Sequence, residues 1–556
     1  MQCPTSRLVL RGSAAAGGCL LLVACVLLPL AVACGTQAHR GSQAGADSGE
    51  TLTPDTGTIL PTDSGSDSTS SSISDAGVEA DTAQPPPATD ACRPFVMPPA
   101  ATLFGSSKKV FAHYFYPFPL SIENVAADAD YYNKNYLSPA GESNKWLAQG
   151  GYLRQRPLPV EAGPSATYLV DNMEKEVQMA MATGITGFTV DVLGAGEVDA
   201  GSQLQNLYTA AAAVDSRFKI VVMPDIAALG ANQAEVESII ESVANNPSAY
   251  RLADGRLVVT AFDASIGSVS FWQAVFADLA TAGINVAFVP TFLGWEGNAT
   301  AFAPISYGFA DWGTATPASS ASSQAWPAAA HGYGEIFMMP VDPQQYRPKD
   351  FLFWEAGNSL AFRNAWTSAI AGDSDWVQLV TWSDFSESSD VEPFTDATLA
   401  ADIGTGFYDL NAYYASWFLT GQAPTITNDV LYYFYRREPT GAAAPAQGQA
   451  TTVAAGGGTA ENDIELLAFL TAPGTLAITI NGQTSTRDAP AGLTSFKVPL
   501  QVGTPQFSLS RAGAQVVSFS GGVQVYGDGG LDSGTLDLTY WSGSASSAGK
   551  CEQSVP

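Results

Sequence analysis

The chain has 556 residues and its composition changes sharply along its length, so its segments are considered one by one. The 53 acidic residues outnumber 24 Lys and Arg, and the formal charge of −29 disfavours nucleic acid or an anionic membrane surface as a partner. A neutral ligand suits this charge better. The 11 Trp and 20 Tyr supply rings of the kind that stack on sugars, although most of them are expected in the core.

The first 34 residues predict an export signal. Arg7 and Arg11 precede an apolar run over residues 14–33, which ends in Ala31-Val-Ala-Cys34. Small residues before a cysteine are typical of a lipoprotein signal, in which Cys34 is lipidated, although Ala31 stands where leucine is usual. Ala-Val-Ala also fits ordinary signal peptidase cleavage, so simple secretion is the alternative. We expect an exported protein of the outer membrane or cell surface, with a membrane contact only through the lipid anchor.

Residues 35–92 predict a disordered linker. They are dominated by Ser, Thr, Asp, Gly and Pro, and they carry too little apolar surface to form a core. We expect this acidic segment to act as a spacer that holds the folded part away from the envelope surface.

The six cysteines indicate one disulfide. Three of them lie in the signal and Cys34 is assigned to the lipid, so Cys92 and Cys551 remain for an oxidising compartment. We expect these two to pair, and two unrelated thiols are the alternative. No C-x-x-C motif occurs, which argues against a structural zinc site, and we expect no metal and no cofactor.

Eight β-rich runs alternate with helical patterns, which is typical of βα units around a parallel sheet. Eight is the number of strands in a (β/α)8 barrel, so we predict an α/β fold with a TIM-like barrel over residues 105–425. The sixth run is the weakest, and an open doubly wound sheet is the alternative. The runs are Val110–Tyr116, Ile185–Asp191, Phe218–Asp225, Arg256–Asp263, Ile284–Pro290, Ser306–Trp312, Glu335–Val341 and Val377–Trp382.

Helical patterns are predicted between the runs, with the first helix over 171–183, where Asp171 is expected to cap the start and Gly184 to end it. The others are predicted near 203–214, 233–245, 272–282 and 411–421. From residue 430 to 556, short runs without helical period predict a β-sandwich. This second domain either binds glycan or simply packs on the barrel.

Carboxylates recur at the ends of the predicted strands, which in a barrel lie on the active face. Any one of them can be a helix cap, so the pattern carries more weight than a single member. The densest group is Asp384 and Glu387, in a loop after the eighth run. Glycoside hydrolysis needs one carboxylic acid and one carboxylate, and a solvated acidic loop is the alternative. The acids at strand ends are Asp191, Asp225, Asp263, Asp311, Asp342 and Asp384.

Other chemistries lack their usual motifs. His113 and His331 are the only histidines in the predicted folded part, which has no H-E-x-x-H, no G-x-S-x-G and no G-x-x-x-x-G-K-[ST]. Metalloprotease, serine esterase and nucleotide hydrolase activities are therefore disfavoured. His113 adjoins Tyr114 and Tyr116 and is a candidate for lining a sugar site, with a buried core histidine as the alternative.

These motifs resemble glycoside hydrolase family 71, the α-1,3-glucanases or mutanases, over residues 109–440. V-F-A-H-Y at 110–114 is similar to the opening V-F-A-H-[FY] of that family. Residues 180–191 and 218–225 are similar to its A-x-x-x-G-I-D-A-F-A-L-N and F-K-L-F-x-S-F-D. The most specific stretches are Phe337–Pro343, Phe362-Arg363 and Asp375–Ser388, and the last is similar to F-V-E-I-x-T-W-N-D-Y-G-E-S. Asp384 and Glu387 fall on its D and E, and family 99 endo-acting mannosidases carry two Glu at the same separation in a similar loop.

The resemblance implies an endo-acting, inverting hydrolase of α-1,3-glucan without a cofactor, and we expect the protein to be a monomer. It implies that Glu387 protonates the glycosidic oxygen while Asp384 activates a water. The sequence departs from the family at Ser383, Phe385 and Ser386, and the segment 131–156 is an insertion that fungal members are not known to carry. A family 99-like enzyme acting on α-mannan and a non-catalytic glycan-binding lipoprotein are the alternatives. The candidates for holding or stacking on the sugar are His113, Asp191, Asp225, Asp263, Trp312, Arg363 and Trp382.

Overall fold

The computed structural model describes residues 91–151, 153–199, 201–396, 403–527, 535–552 and 555–556. The predicted signal, Cys34 and the linker up to residue 90 lie outside the described residues, so the expectations for them stay predictions. Among the residues that are described, no helix has the length and apolar character needed to cross a membrane.

Eight parallel strands close into a barrel, in which each strand pairs with the next along the chain and β1 also pairs with β8. Each strand overlaps one predicted run, including the weak sixth one, so the predicted barrel is confirmed and the open sheet is wrong. The strands are β1 Lys109–Tyr114, β2 Gly187–Val192, β3 Lys219–Pro224, β4 Leu257–Ala261, β5 Val286–Phe292, β6 Gly308–Asp311, β7 Ile336–Val341 and β8 Trp376–Leu379.

The barrel strands are buried on both faces, which explains why they are continuous apolar runs in the sequence rather than alternating ones. One set of side chains fills the barrel interior, and it includes Phe111, Val221, Val258 and Met338 from four different strands. The opposite set packs against the surrounding helices in the largest apolar cluster of the protein. Both layers hold the carboxyl ends of the strands in fixed positions.

Helices cover the outside of the barrel, and the predicted segments are confirmed with small shifts at their ends. The expected cap is wrong: the first helix begins at Tyr168, one turn before Asp171, and Asp171 accepts a hydrogen bond from Thr167 Oγ1 at 2.8 Å. It ends before Gly184, which has a positive φ of 85°. The principal helices are Tyr168–Ala182, Gln203–Val214, Gln233–Val243, Val269–Thr281, Leu360–Ala371 and Gly406–Thr420, with shorter ones at Ala100–Gly105, Pro317–Ser322 and Trp326–His331.

The segment between β1 and the first outer helix packs on the chain that follows β8. Its short strand Arg156–Pro157 pairs with Phe394–Thr395, which in turn pairs with Ile403–Gly404. The Arg156 guanidinium is 1 % exposed and forms an ion pair of 2.7 Å with Asp130. The unfamiliar insertion is therefore a packed part of the fold, and it lies against the region that carries the acid pair.

Two antiparallel sheets follow the barrel, and the predicted sandwich architecture is confirmed. Tyr433 stacks on Phe507 across the two sheets, with ring centroids 5.5 Å apart. The five-stranded sheet, in spatial order, consists of Gly492–Pro499, Asp463–Leu470, Val430–Arg436, Tyr540–Ser546 and Gly549–Cys551. The four-stranded sheet consists of Gln483–Ala489, Gly474–Ile480, Gln506–Arg511 and Ala514–Ser520.

The five-stranded sheet also packs on the barrel through its second face. Phe434 contacts Phe407 of the last barrel helix, with ring centroids 5.0 Å apart, and Phe469 contacts Tyr413 at 4.9 Å. A sheet that is covered on both faces needs apolar residues at consecutive positions, which is why the strand Val430–Arg436 does not alternate.

A disulfide joins the two ends of the folded part. Cys92 and Cys551 are bonded with their Cα atoms 5.6 Å apart, and Cys551 lies opposite Ser544 in the five-stranded sheet. Next to it, Asn428 Nδ2 donates to the carbonyl of Arg93 at 2.8 Å. The segment that leaves the linker is thus fastened to the C-terminal sheet.

Candidate active site

The loop after β8 places Asp384 and Glu387 at the carboxyl end of the barrel. Asp384 is 8 % exposed, and its backbone N–H donates to Thr381 Oγ1 at 2.8 Å. Its Oδ1 accepts hydrogen bonds from the Ser386 N–H at 3.0 Å, the Ser386 hydroxyl at 2.7 Å and the Glu387 N–H at 3.2 Å. These bonds fold the loop into a tight turn, so both acids are held by one short segment.

The surroundings of Asp384 favour its protonated form. Burial, followed by the negative charge of Glu387, raises the pKa of Asp384 to about 6. The charges of Lys349 and Arg347 and the hydrogen bond from Ser386 act in the opposite direction without reversing the result. A carboxyl group with such a pKa holds a proton at mildly acidic pH, as a general acid must.

Glu387 has cationic neighbours instead. Its Oε2 accepts a hydrogen bond from Gln345 Nε2 at 2.6 Å, and its Oε1 lies 3.1 Å from Arg347 Nη2 and 3.8 Å from Lys349 Nζ. The three partners follow β7, and the Tyr346 N–H also donates to the Glu387 carbonyl at 2.8 Å. Sequence reasoning missed these partners, although Q-Y-R-P-K at 345–349 follows a recognised motif and carries two cations.

A second group of acids lies at the ends of β2 and β3. Burial raises the pKa of Asp191 well above its usual range, and the negative charges of Asp225, Glu197 and Asp384 raise it further. Asp191 is 4 % exposed, and its Oδ1 has no hydrogen-bond partner among the described residues. Because the charge of Asp384 acts on the pKa of Asp191, the two carboxyl groups lie near each other, and the structure brings these predicted residues together.

Glu197 belongs to this group and was missed by sequence reasoning. It lies in a short 3-10 turn after β2, and it accepts hydrogen bonds from the Tyr116 hydroxyl and from the Leu193 N–H at 2.9 Å. Burial raises the pKa of Glu197. Glu197 follows a predicted strand, which was the available signal. It was missed because several residues separate it from Val192, the last residue of β2, whereas the predicted acids lie directly at strand ends.

Asp225 and Asp263 combine a structural role with a place near the site. Asp225 caps the turn Ile226–Leu229 by accepting from the Ala228 N–H at 3.0 Å, and burial raises its pKa to about 6, with a further rise from the charge of Asp263. Asp263 has a left-handed backbone, with φ of 43°, and accepts from the Ser265 hydroxyl at 2.8 Å.

Aromatic rings line the same end of the barrel around His113. Burial lowers the pKa of His113 to about 3, so the imidazole is neutral. Its ring meets the half-buried Trp312 edge-on at 4.8 Å, and Trp312 meets Phe262 at the same distance. Partly exposed aromatic surface of this kind can pack against the apolar face of a sugar.

The structure gives two of the predicted sugar-binding residues other surroundings. Trp382 is 0 % exposed and packs in the core against Phe188 at 5.6 Å, so it has no face for a sugar. Arg363 points to the C-terminal sheet, where its Nη2 lies 3.1 Å from Glu465 and its Nε donates to Ser359 Oγ at 2.9 Å.

Two further acids at strand ends have structural surroundings. Asp311 accepts hydrogen bonds from the N–H groups of Gly294 at 3.0 Å, Trp295 at 2.7 Å and Gly313 at 2.9 Å, and it thereby ties two loops together. Burial raises the pKa of the neighbouring Asp342 well above its usual range. Among the described residues, no group of three or more His, Cys, Asp or Glu is arranged to hold a metal ion.

This arrangement agrees with a match to a known family. The sequence model of Glycosyl hydrolase family 71 matches residues 162–554, which include β2 to β8 and the C-terminal sheets. The chain belongs to glycosyl hydrolase family 71. It is therefore a glycoside hydrolase, as the acid pair predicts. The matched range begins after the insertion over 131–156.

Two relatives of this family 71 chain come from fungi. The Glucan endo-1,3-alpha-glucosidase agn1 of Schizosaccharomyces pombe is 26 % identical over 381 residues, which cover 65 % of this chain and 88 % of that protein. The Mutanase Pc12g07500 of Penicillium rubens is 23 % identical over 383 residues, covering 64 % and 82 %. Among solved structures, the GH99 endo-alpha-mannosidase from Bacteroides thetaiotaomicron is 16 % identical with a TM-score of 0.42, covering 56 % of this chain and 97 % of that one.

Proposed function

We propose that this family 71 enzyme hydrolyses α-1,3-linked glucan within the chain, with inversion, and that Asp384 and Glu387 are its reacting acids. Relatives that carry this activity in their names support the substrate. The observation on which the mechanism rests is the pair itself, in which a buried acid adjoins an acid bound by cations. Two carboxyl groups whose surroundings favour opposite protonation states form an acid and a base.

The surroundings of the pair suit a neutral glycan. Asp191, Glu197 and the Tyr116 hydroxyl offer hydrogen-bonding groups for sugar hydroxyls, and Trp312 offers an aromatic face. The net charge of −29 does not repel an uncharged polysaccharide. We include Asp191, Asp225, Asp263, His113 and Trp312 in the proposed sugar-binding surface.

The decisive experiment is a screen of the purified mature protein on insoluble α-1,3-glucan and on α-mannan. Release of reducing ends from α-1,3-glucan supports the proposal, and a ladder of oligosaccharides rather than only glucose identifies endo-action. Release from α-mannan alone would favour the family 99-like alternative. Binding to α-1,3-glucan without any release of reducing ends would contradict catalysis.

The stereochemical outcome is measured by proton NMR during the first minutes of hydrolysis. Inversion at an α-linkage gives the β-anomer first, whereas a retaining enzyme gives the α-anomer. Asp384→Asn and Glu387→Gln are each expected to lower kcat on α-1,3-glucan by about 10²-fold or more, because each change removes an ionisable group and keeps its shape. Arg217→Gln, on an exposed ion pair with Asp215, is the matched control.

A further inference from the structure

The two reacting acids differ in what surrounds their oxygens. Glu387 Oε1 is shared by the Arg347 guanidinium at 3.1 Å and the Lys349 ammonium at 3.8 Å. Asp384 Oδ1 accepts from two backbone N–H groups and one hydroxyl, all of which are neutral donors. Cations in contact with a carboxyl group favour its ionised form, and so do hydrogen bonds from N–H and hydroxyl groups. At Asp384 burial and the charge of Glu387 outweigh those hydrogen bonds, whereas Glu387 has the direct contact with the cations.

Arg347 is itself held in place, so its contact with Glu387 is built into the fold. Its side chain is 7 % exposed, and its Nε lies 2.8 Å from Asp350 Oδ2. The strand Gln345–Arg347 pairs with Leu352–Trp354, and the Tyr346 hydroxyl donates to the carbonyl of Leu536 at 2.6 Å. The segment before the last strands of the C-terminal domain therefore anchors the loop that holds Glu387.

We infer that Arg347, with Lys349, is a positioning residue that keeps Glu387 ionised, so that Asp384 is the proton donor and Glu387 is the base. This inference rests on the proposed glycoside hydrolysis, and it reverses the roles expected from the family resemblance. A general acid has to carry its proton before the bond breaks, and a carboxylate that already shares its oxygen with two cations is poorly suited to that task. The burial of Asp384 favours its protonated form, which is the form that a proton donor needs.

The step balances with one water and no other reactant. The Asp384 carboxyl gives its proton to the glycosidic oxygen as the bond from that oxygen to the anomeric carbon breaks. A water oxygen bonds to the anomeric carbon from the opposite side, and Glu387 takes the proton that this water loses. Asp384 ends as a carboxylate and Glu387 as a carboxylic acid, and exchange with solvent restores both.

The charged and titratable neighbours of the pair define what a pH profile can report. Glu387 faces the charged groups of Arg347, Lys349 and Asp384 and the amide of Gln345. The pKa of Asp384 responds to Glu387, Lys349 and Arg347, while the charge of Asp384 in turn raises the pKa of both Asp191 and Asp390. Loss of Arg347 disfavours the ionised form of Glu387 most, because that contact is direct, and disfavours the ionised form of Asp384 less.

The first test separates the two roles with a substrate whose leaving group needs no proton. An α-1,3-linked oligoglucosyl α-fluoride releases fluoride without an acid, but its hydrolysis still needs the base. We expect Asp384→Asn to lose about 10²-fold or more on α-1,3-glucan and to stay within about tenfold of wild type on the fluoride. We expect Glu387→Gln to lose about 10²-fold or more on both substrates.

Any other pattern of the two variants on the fluoride overturns the inference. Activity kept by Glu387→Gln and lost by Asp384→Asn would restore the reverse assignment, and loss in both would remove Asp384 as the proton donor. Activity kept in both would remove Glu387 as the base. These outcomes are distinct from failure of the proposed function, which is a wild-type protein that hydrolyses neither α-1,3-glucan nor the fluoride.

The second test measures the pH dependence of kcat/KM for Arg347→Met, with Arg347→Lys as the conservative variant and Lys349→Gln as a variant with a weaker contact. If Arg347 keeps Glu387 ionised, Glu387 sets the acidic limb, which moves to higher pH by more than the alkaline limb when Arg347 is lost, so the profile narrows and Arg347→Lys partly restores its width. If the profile of Arg347→Met widens instead, Glu387 is the acid that ionises last, Arg347 does not keep it ionised and the inference is wrong. Melting curves verify folding, and Lys349→Gln gives the same sign should Arg347→Met fail to fold.

Discussion

Asp384→Asn is expected to remove activity and, at pH 8, to make the fold more stable than the wild type. Burial raises the pKa of this acid from 3.8 to about 6, which corresponds to about 3 kcal/mol between its two protonation states. The folded protein binds this proton more tightly than the unfolded chain. The stabilisation that comes from this tighter proton binding by Asp384 is therefore complete below about pH 3.8, and it is lost as the pH rises through about 6. Asparagine does not ionise, and its Oδ1 can still accept the hydrogen bonds that Asp384 Oδ1 receives.

The assay is urea unfolding of both proteins at pH 4.5 and pH 8. We expect the free energy of unfolding of the variant, relative to wild type, to rise by about 1–3 kcal/mol between these pH values. Glu387→Gln is the paired control with the opposite sign at pH 8, because it removes the carboxylate that the Arg347 and Lys349 cations share and costs about 3 kcal/mol. If the free energy of unfolding depends on pH equally in Asp384→Asn and wild type, the pKa of Asp384 is not raised in the folded protein. The electrostatic account of the site would then be refuted.

Four further changes address other parts of the protein. Cys34→Ser should convert a membrane-partitioning protein into a soluble secreted one, and mass spectrometry that finds an unmodified mature N-terminus in the wild type would contradict lipidation. Cys92→Ser opens a loop with a sequence separation of 459 residues, for which the chain-entropy model gives a stabilisation of about 4–5 kcal/mol or more. Fraying at the chain ends should reduce this stabilisation, so we expect a slightly lower melting temperature and unchanged turnover. Lost activity in a folded Cys92→Ser variant would contradict this expectation. Arg363→Ala leaves the buried Glu465 without its cation, so it should cost about 3–5 kcal/mol in unfolding free energy and leave KM unchanged, whereas a raised KM in a folded variant would return this residue to the sugar site. Trp312→Ala should raise KM on α-1,3-glucan with a smaller change in kcat, and unchanged KM would remove this ring from the sugar-binding surface.

Elements with a strong local pattern could be predicted from the sequence. The helix Gln203–Val214 has the predicted bounds, because its apolar period and its Ser202 cap are local features. The strand Gln483–Ala489 was missed, because six of its seven residues are exposed and it lies at the edge of its sheet. Such a strand forms through its neighbour, Gly474–Ile480, rather than through a pattern of its own.

The site was predictable where its residues share one short segment. Asp384 and Glu387 lie in one loop, and a motif of fixed spacing predicts both as the acid pair. The same motif could not show that Trp382, two residues before Asp384, faces the core, because the direction of a side chain depends on how the strand end packs. It also could not show that Arg363 reaches Glu465, which is 102 residues away in the chain.

The sequence by itself determined the eight strands, the helices between them and the acid pair, since local periodicity and short motifs encode these features. Only the tertiary structure decided which charges meet at the carboxyl end of the barrel. Glu197 comes from the loop after β2, Arg347 and Lys349 from the segment after β7, and Glu387 from the loop after β8. Barrel closure brings these loops together, and the protonation of two acids only three residues apart depends on cations about 40 residues away in the chain.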